Sequence, residues 1–186
     1  MPVVLSATAV SMMWKVILAP DYGLLNGIIS AVGLSSWAKP WLTDPATAFT
    51  SIILVNSWLQ IGYFVVILLA AILSIPQDIF EALKLDGANH RVLLFQIILP
   101  LTRDVFGVCV VLIITTTMKT FDIIYVMTSG TFGPADINQV PVGYMYYSAF
   151  VGDNFGNGSA IAVLVMLSGI IISSTLYLKV FMKNED

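Results

Sequence analysis

Few side chains in this 186-residue chain could do covalent chemistry. His90 is its one histidine and Cys109 its one cysteine. A single thiol forms no intrachain disulfide, and one thiol with one histidine makes no protein metal site. Cys109 sits in an apolar run and reads as a small buried hydrophobe. An intramembrane enzyme would need a nucleophile–base pair or metal ligands at membrane depth, and neither is supplied. What the sequence does offer is hydrogen bonding. Asn56, Gln60 and Tyr63 recur at i, i+4 and i+7, one face of a helix. Thr116, Thr117 and Thr120 share a face with Ile113 in the same way. Uncharged amide, hydroxyl and aromatic groups bond in both directions and present flat apolar surface, as a neutral, many-hydroxyl ligand requires. The same groups also serve as glue between membrane helices, and for threonines alone that reading is the stronger.

The elements that hold these residues follow from composition. The chain is 58% hydrophobic and 10% charged, with a mean hydropathy of +0.92, whereas soluble domains carry roughly 25% charged residues. So much apolar surface calls for a bilayer as solvent. A net charge of −3 with no run of Lys or Arg excludes a nucleic-acid partner. Apolar segments at 3–18, 47–73, 105–118 and 160–178 predict about four membrane helices. The stretch "MPVVLSATAVSMMW" has no basic residue ahead of its apolar part, so it reads as the later part of a membrane helix and not as a signal peptide. In the connections, Trp37, Trp41, Tyr144, Tyr146 and Tyr147 suit interfacial belts. Lys84, Arg91, Arg103, Lys179 and Lys183, five of the eight basic residues, fall on one side of a four-crossing layout. The positive-inside rule makes that side cytoplasmic, with the C-terminus on it. Lys119 and Asp122, three apart, are expected to pair at the outer end of a continuous helix.

Asp78, Glu81, Lys84, Asp86, His90 and Arg91 fall together in "SIPQDIFEALKLDGANHRVLLFQIILP", residues 74–100, between long apolar runs. Ser74 with Gln77 predicts a capping box, and Pro76 an early first turn. Ile79, Phe80 and Leu83 recur at helical spacing opposite Asp78, Glu81 and Lys84. Gly87 supplies a helix stop, and Asn89 a cap for a second short helix through Phe95. The expected unit is a helix-turn-helix lying beneath the membrane. Its apolar side chains call for a cover, either a docked partner or the chain's own bundle, and the residues alone do not choose between them.

This segment resembles the signature loop of ABC importer permeases. That pattern is Glu-Ala-Ala, three residues, Gly, nine residues, then Ile-x-Leu-Pro, and Glu81, Ala82, Gly87, Ile97, Leu99 and Pro100 stand at those intervals, with Leu83 replacing the second Ala. The stretches "GLLNGIISAVGL", "WLTDPATA", "NSWLQIGYFVVILLAAILSIP", "KTFDIIYVMTSG" and "AFVGDNFGNGSAIAVLV" are similar, in order, to segments of the maltose-type sugar permeases. The resemblance implies an all-α integral membrane protein with the type I importer transmembrane-domain fold. The chain would form one permease domain over 1–186, the C-terminal two-thirds of such a subunit, with a cytoplasmic coupling loop at 74–102. That loop docks on a separate ATPase subunit, so Glu81, Ala82, Leu83, Asp86 and Gly87 are the implied coupling residues. Gly87→Pro is then expected to leave insertion intact but uncouple ATP hydrolysis from transport. A second permease subunit (a heterodimer), ATPase subunits and an extracytoplasmic solute-binding protein are the implied partners. ATP and Mg belong to the ATPase, and this chain, which lacks a Gly-Lys-Ser/Thr phosphate loop, takes no cofactor and is no enzyme. Matching along the motifs assigns Asn56, Leu59, Gln60, Tyr63, Ile113, Thr116, Thr117 and Thr120 to the sugar lining. Gln60 stands where the maltose-type pattern has a smaller residue, and the threonines replace aromatic and amide groups, so maltose itself is not the expected solute. No basic residue stands in this lining, which argues against a phosphorylated ligand. Polyols, glycerol phosphates and a truncated, non-transporting subunit remain as alternatives.

Overall fold

A computed structural model describes residues 4–85 and 89–181, and the regular elements among them are all helical. In chain order the helices are α1 (Ala7–Ile17), α2 (Leu24–Ala31), α3 (Ala48–Leu73), α4 (Gln77–Leu85), α5 (His90–Val92), α6 (Leu99–Leu101), α7 (Arg103–Met118), α8 (Asp122–Met127), α9 (Pro141–Tyr146) and α10 (Phe155–Phe181). Wider π windings occupy Leu93–Ile98 and Tyr147–Val151. Among the described residues α3 and the Phe155–Leu176 part of α10 are each long and apolar enough to cross a bilayer. Their outward side chains, such as Leu54, Ile61, Leu164 and Ile171, are more than half exposed. That would be costly in water and is ordinary in lipid. The packing resolves into two units, residues 1–62 with 118–167, and residues 63–117 with 168–186.

The first unit has the tighter core. Val10 and Leu18, Ile52 and Val55 of α3, Ile123, Ile124 and Met127 of α8, and Phe132 form one buried cluster. α1 starts on a Ser6 cap, whose hydroxyl accepts from the Ala9 N–H at 3.2 Å. At 11 residues it is about 16 Å long, half of a hydrocarbon core of roughly 30 Å. The segment expected at 3–18 therefore yields a half-length helix. α1 packs along α8, and Lys15 Nζ donates to Ser129 Oγ at 2.6 Å.

The connection ahead of α3 is fastened by a residue that periodicity does not single out. Asn26 is buried, and its Nδ2 donates to the carbonyls of Pro20 and Lys39, both at 3.0 Å. Its Oδ1 accepts from the Lys39 N–H at 3.4 Å and the Trp41 indole N–H at 2.7 Å. The Trp41 carbonyl in turn accepts from the hydroxyls of Thr47 and Ser51, tying the connection to the start of α3. Trp41 is thus an internal anchor, whereas Trp37 stands exposed as a belt residue would. Between α8 and α9 the chain takes left-handed backbone at Ser129, Gly130, Phe132, Gly133, Ala135 and Asp136. Phe132, 3% exposed, pins that loop. Its ring lies so close to Gly143 that a Cβ there would stand 2.6 Å from it. Tyr146 packs, tilted or edge-on, against the rings of Phe121, Tyr125 and Phe150, while Tyr144 and Tyr147 stay exposed. A hydrogen bond with the Tyr125 hydroxyl raises the Tyr146 phenol above its ordinary value.

In the second unit, α4 keeps the expected faces: Asp78 and Glu81 are exposed, and Ile79, Phe80 and Leu83 half-buried. The capping box does not form. Ser74 Oγ instead donates back to the Ala71 carbonyl at 2.7 Å, closing α3. The second short helix runs beyond Phe95, through the π winding to Leu101. Pro100 brings no N–H and crowds the carbonyl four residues back, and the wider winding just before it accommodates that loss. At Thr102 the path bends by 69° into α7. Thr102 is buried, and its hydroxyl donates to the Ile98 carbonyl at 2.7 Å. Leu93–Leu101 and α7 reach the length of a span only together, as a broken crossing or re-entrant segment.

Candidate functional site

Gln60 is the thirteenth of the 26 residues of α3, the middle of a helix long enough to cross a bilayer. Asn56 lies one turn before it, about 6 Å along the axis. Beside them α7 has ended at Met118, and α8 does not start until Asp122. The reason is local. Thr115 donates its hydroxyl to the carbonyls of Val111 and Leu112, at 2.9 and 3.0 Å. Thr116 bonds Leu112 and Ile113 in the same way, at 2.7 and 3.0 Å. Consecutive β-branched residues bonding backward in this manner weaken the last turn.

The break and the middle of α3 border an open cleft of about 220 Å³. Asn56, Leu59 and Gln60 form one wall, and Lys119, Thr120 and Asp122 the other. Ala7, the first residue of α1, also reaches it. α1 and α8 therefore both start at this cleft and run the same way, since Lys15 of α1 reaches Ser129 just past α8. The cleft offers two amides, a hydroxyl, an ammonium and a carboxylate, beside the apolar Leu59, Phe121 and Ile123. Such a set can bond the hydroxyls of a small polar solute from several sides, and it holds no covalent nucleophile.

Of the eight residues expected to line a solute site, Asn56, Leu59, Gln60 and Thr120 come together here. Thr120 was expected on the face of Ile113, Thr116 and Thr117, but α7 ends two residues earlier, so it turns into the cleft instead. Tyr63, Ile113, Thr116 and Thr117 belong to the second unit. There Tyr63 is 41% exposed and sets its ring edge-on to Phe64, with centroids 5.4 Å apart. Ile113 and Thr117 are exposed. Lys119 and Asp122 are the residues that sequence reasoning placed elsewhere. Their pairing presumed a continuous helix at a membrane surface, whereas they lie on unwound chain and a new helix start, level with the middle of α3. The run of threonines just before them was the available signal. Of the coupling residues, Glu81 is exposed and Leu83 half-buried. Ala82 lies in α4, its side chain outside the described residues, as are Asp86 and Gly87.

Two long apolar helices, one of them bordering a polar cleft beside a helix break, define an integral membrane protein. Residues 1–183 match the family of binding-protein-dependent transport system inner membrane components, and the chain belongs to that family. It is 34% identical over all 186 residues to the probable ABC transporter permease YurN of Bacillus subtilis, covering 63% of that protein. To the trehalose/maltose transport permease MalF of Thermococcus litoralis it is 35% identical over its whole length, covering 59%. To the alpha-glucoside permease AglF of Rhizobium meliloti it is 32% identical over 90% of its length, covering 50%. The chain thus spans about 60% of the length of the first two. Among solved structures, a bacterial ABC transporter that imports the acidic polysaccharide alginate superposes with a TM-score of 0.83 at 23% identity. That match covers 94% of this chain and 60% of the other, and establishes the fold. The alginate transporter in complex with its pentasaccharide-bound periplasmic protein matches equally well. The resemblance to maltose-type binding-protein-dependent permeases, first drawn from the motifs, is borne out.

Proposed function

We propose that this chain forms part of the membrane permease of an ATP-driven, binding-protein-dependent importer, and that it carries a sugar or related polyol across the cytoplasmic membrane. The observation that carries the reading is the convergence of Asn56, Gln60 and Thr120 on one cleft level with the middle of α3. Polar side chains at membrane depth are costly and mark solute pathways, and transporter sites gather at such depths beside interrupted helices. The relatives named for trehalose/maltose and alpha-glucoside transport support a saccharide.

In this mechanism the binding protein delivers the solute from outside, and a second permease subunit supplies the opposite wall. ATP and Mg are held by partner ATPase subunits. The α4 segment faces the cytoplasm, where Glu81 gives the ATPase a polar contact and Ile79, Phe80 and Leu83 an apolar one. Nucleotide-driven closure of the ATPases then moves the lining helices, opening the cleft to one side at a time.

The test is uptake by the full-length subunit, reconstituted in proteoliposomes with its partner subunits and binding protein. ATP-dependent saccharide accumulation is expected, and Asn56→Ala with Gln60→Ala should lower it about tenfold, the loss of one or two solute hydrogen bonds. Undiminished accumulation by that double variant would remove the cleft from the pathway.

A further inference from the structure

We infer that Lys119 and Asp122 are solute-contacting residues whose opposed charges make the cleft selective for neutral over anionic polyhydroxylated solutes. The inference rests on the transport function proposed above and names its substrate class. Without Lys119, the expected lining contained no charge. The structure puts both a cation and an anion into the same wall as Thr120, opposite Asn56 and Gln60. They lie level with the middle of a helix long enough to span the bilayer, not at its end. Ionisable groups at such a depth face bundle interiors or aqueous cavities and are functional by default.

Their chemistry suits adjacent hydroxyls. A carboxylate accepts from two neighbouring O–H groups, and an ammonium donates to up to three oxygens. Both kinds of bond are charge-assisted and stronger than those of the amides across the cleft. The two formal charges sum to zero. A neutral polyol therefore gains bonds of both senses at no electrostatic cost. A carboxylated or phosphorylated solute drawn by Lys119 is repelled by Asp122, which lines the same open cleft. The purely structural account, a pair that only holds the 119–122 segment in place, predicts no dependence on solute charge.

The experiment measures uptake of two probes by the complete reconstituted importer. One is a neutral trisaccharide, the other the same trisaccharide carrying one uronate. The binding protein is the same in every arm, so its own preference cancels when ratios are compared between variants. Asp122→Asn should raise the uronate-to-neutral ratio about tenfold, and Lys119→Gln should lower it. The charge swap Lys119→Asp with Asp122→Lys should restore the unsubstituted ratio. Ratios within about twofold in both single variants overturn the inference, as does an unsubstituted importer that prefers the uronate. If neither single variant assembles, the pair is a folding element and the inference is overturned too. Absence of any saccharide uptake by the unsubstituted importer sinks the function proposed above, an outcome distinct from the loss of charge selectivity alone.

Discussion

Asn26→Ala is the substitution whose cost the structure fixes best. One buried amide uses both donors and both acceptor positions, at 2.7, 3.0, 3.0 and 3.4 Å. Alanine removes all four bonds and leaves the partners of Asn26 without replacements. A typical intramolecular hydrogen bond contributes about 0.5–1.5 kcal/mol net. Three short bonds and one long one then amount to about 2–4 kcal/mol, because the contributions of one group are not additive. For a chain of this size that is a fall in Tm of about 5–15 °C. Trp41→Phe removes the indole bond together with part of the ring packed against the core, so it should cost about 1–3 kcal/mol. The two changes share that bond, and the double variant should cost less than their sum. Thermal unfolding of the detergent-solubilised subunit, followed by helical circular dichroism, measures all three. A shift below about 2 °C for Asn26→Ala, or strict additivity in the double variant, would refute the account of Asn26 as the fastener of this connection.

Gly143→Ala would press a methyl group against the buried Phe132 ring, 2.6 Å away, and should destabilise by about 1–3 kcal/mol. Faster proteolysis in the 128–140 loop is the readout. Thr115→Val keeps the β-branch and removes one of two back-bonding hydroxyls; Thr116 still bonds backward, so the break at Met118 should persist and uptake should stay within about twofold. A large loss would show that this hydroxyl has another duty. Glu81→Ala, at an exposed position on α4, should leave membrane insertion unchanged while lowering solute uptake per ATP hydrolysed in the reconstituted importer. An unchanged ratio would detach Glu81 from coupling.

Long apolar runs made α3 and α10 legible, because a single run of that length satisfies its own backbone in hydrocarbon as a helix. The two faces of α4 were legible for a similar reason, its apolar residues recurring at helical spacing. What escaped had longer-range causes. Asn26 finds its partners up to fifteen residues away, and no periodic pattern encodes that. The capping box was a sound local reading, but the Ser74 hydroxyl is turned back onto the Ala71 carbonyl of the preceding helix. Asn56, Leu59 and Gln60 keep the shared face expected of them because they sit on an uninterrupted helix. Thr120, Lys119 and Asp122 were given the wrong faces because helical spacing was extended past Met118. Three threonines in a row warn of a weakening helix, but they do not fix the residue at which it stops.

The placement of that stop has a physical logic that joins fold and site. Ending a helix leaves carbonyls without intrahelical partners, and in hydrocarbon each such group costs several kcal/mol. The interruption is therefore tolerable only beside polar groups or water, and the cleft at 119–122 offers Asn56, Gln60 and Thr120 as such groups. The dependence also runs the other way. Those side chains would be an expense on an uninterrupted lipid-facing helix, and they become favourable once unwound chain stands opposite. Break and polar wall are thus conditions for each other. Replacing Asn56 and Gln60 by leucine should then do more than empty a site: it should destabilise the 118–122 segment itself. Cysteines introduced singly at 119 to 121 would report this as altered thiol labelling in membranes, and unaltered labelling would show that the break stands without its polar wall.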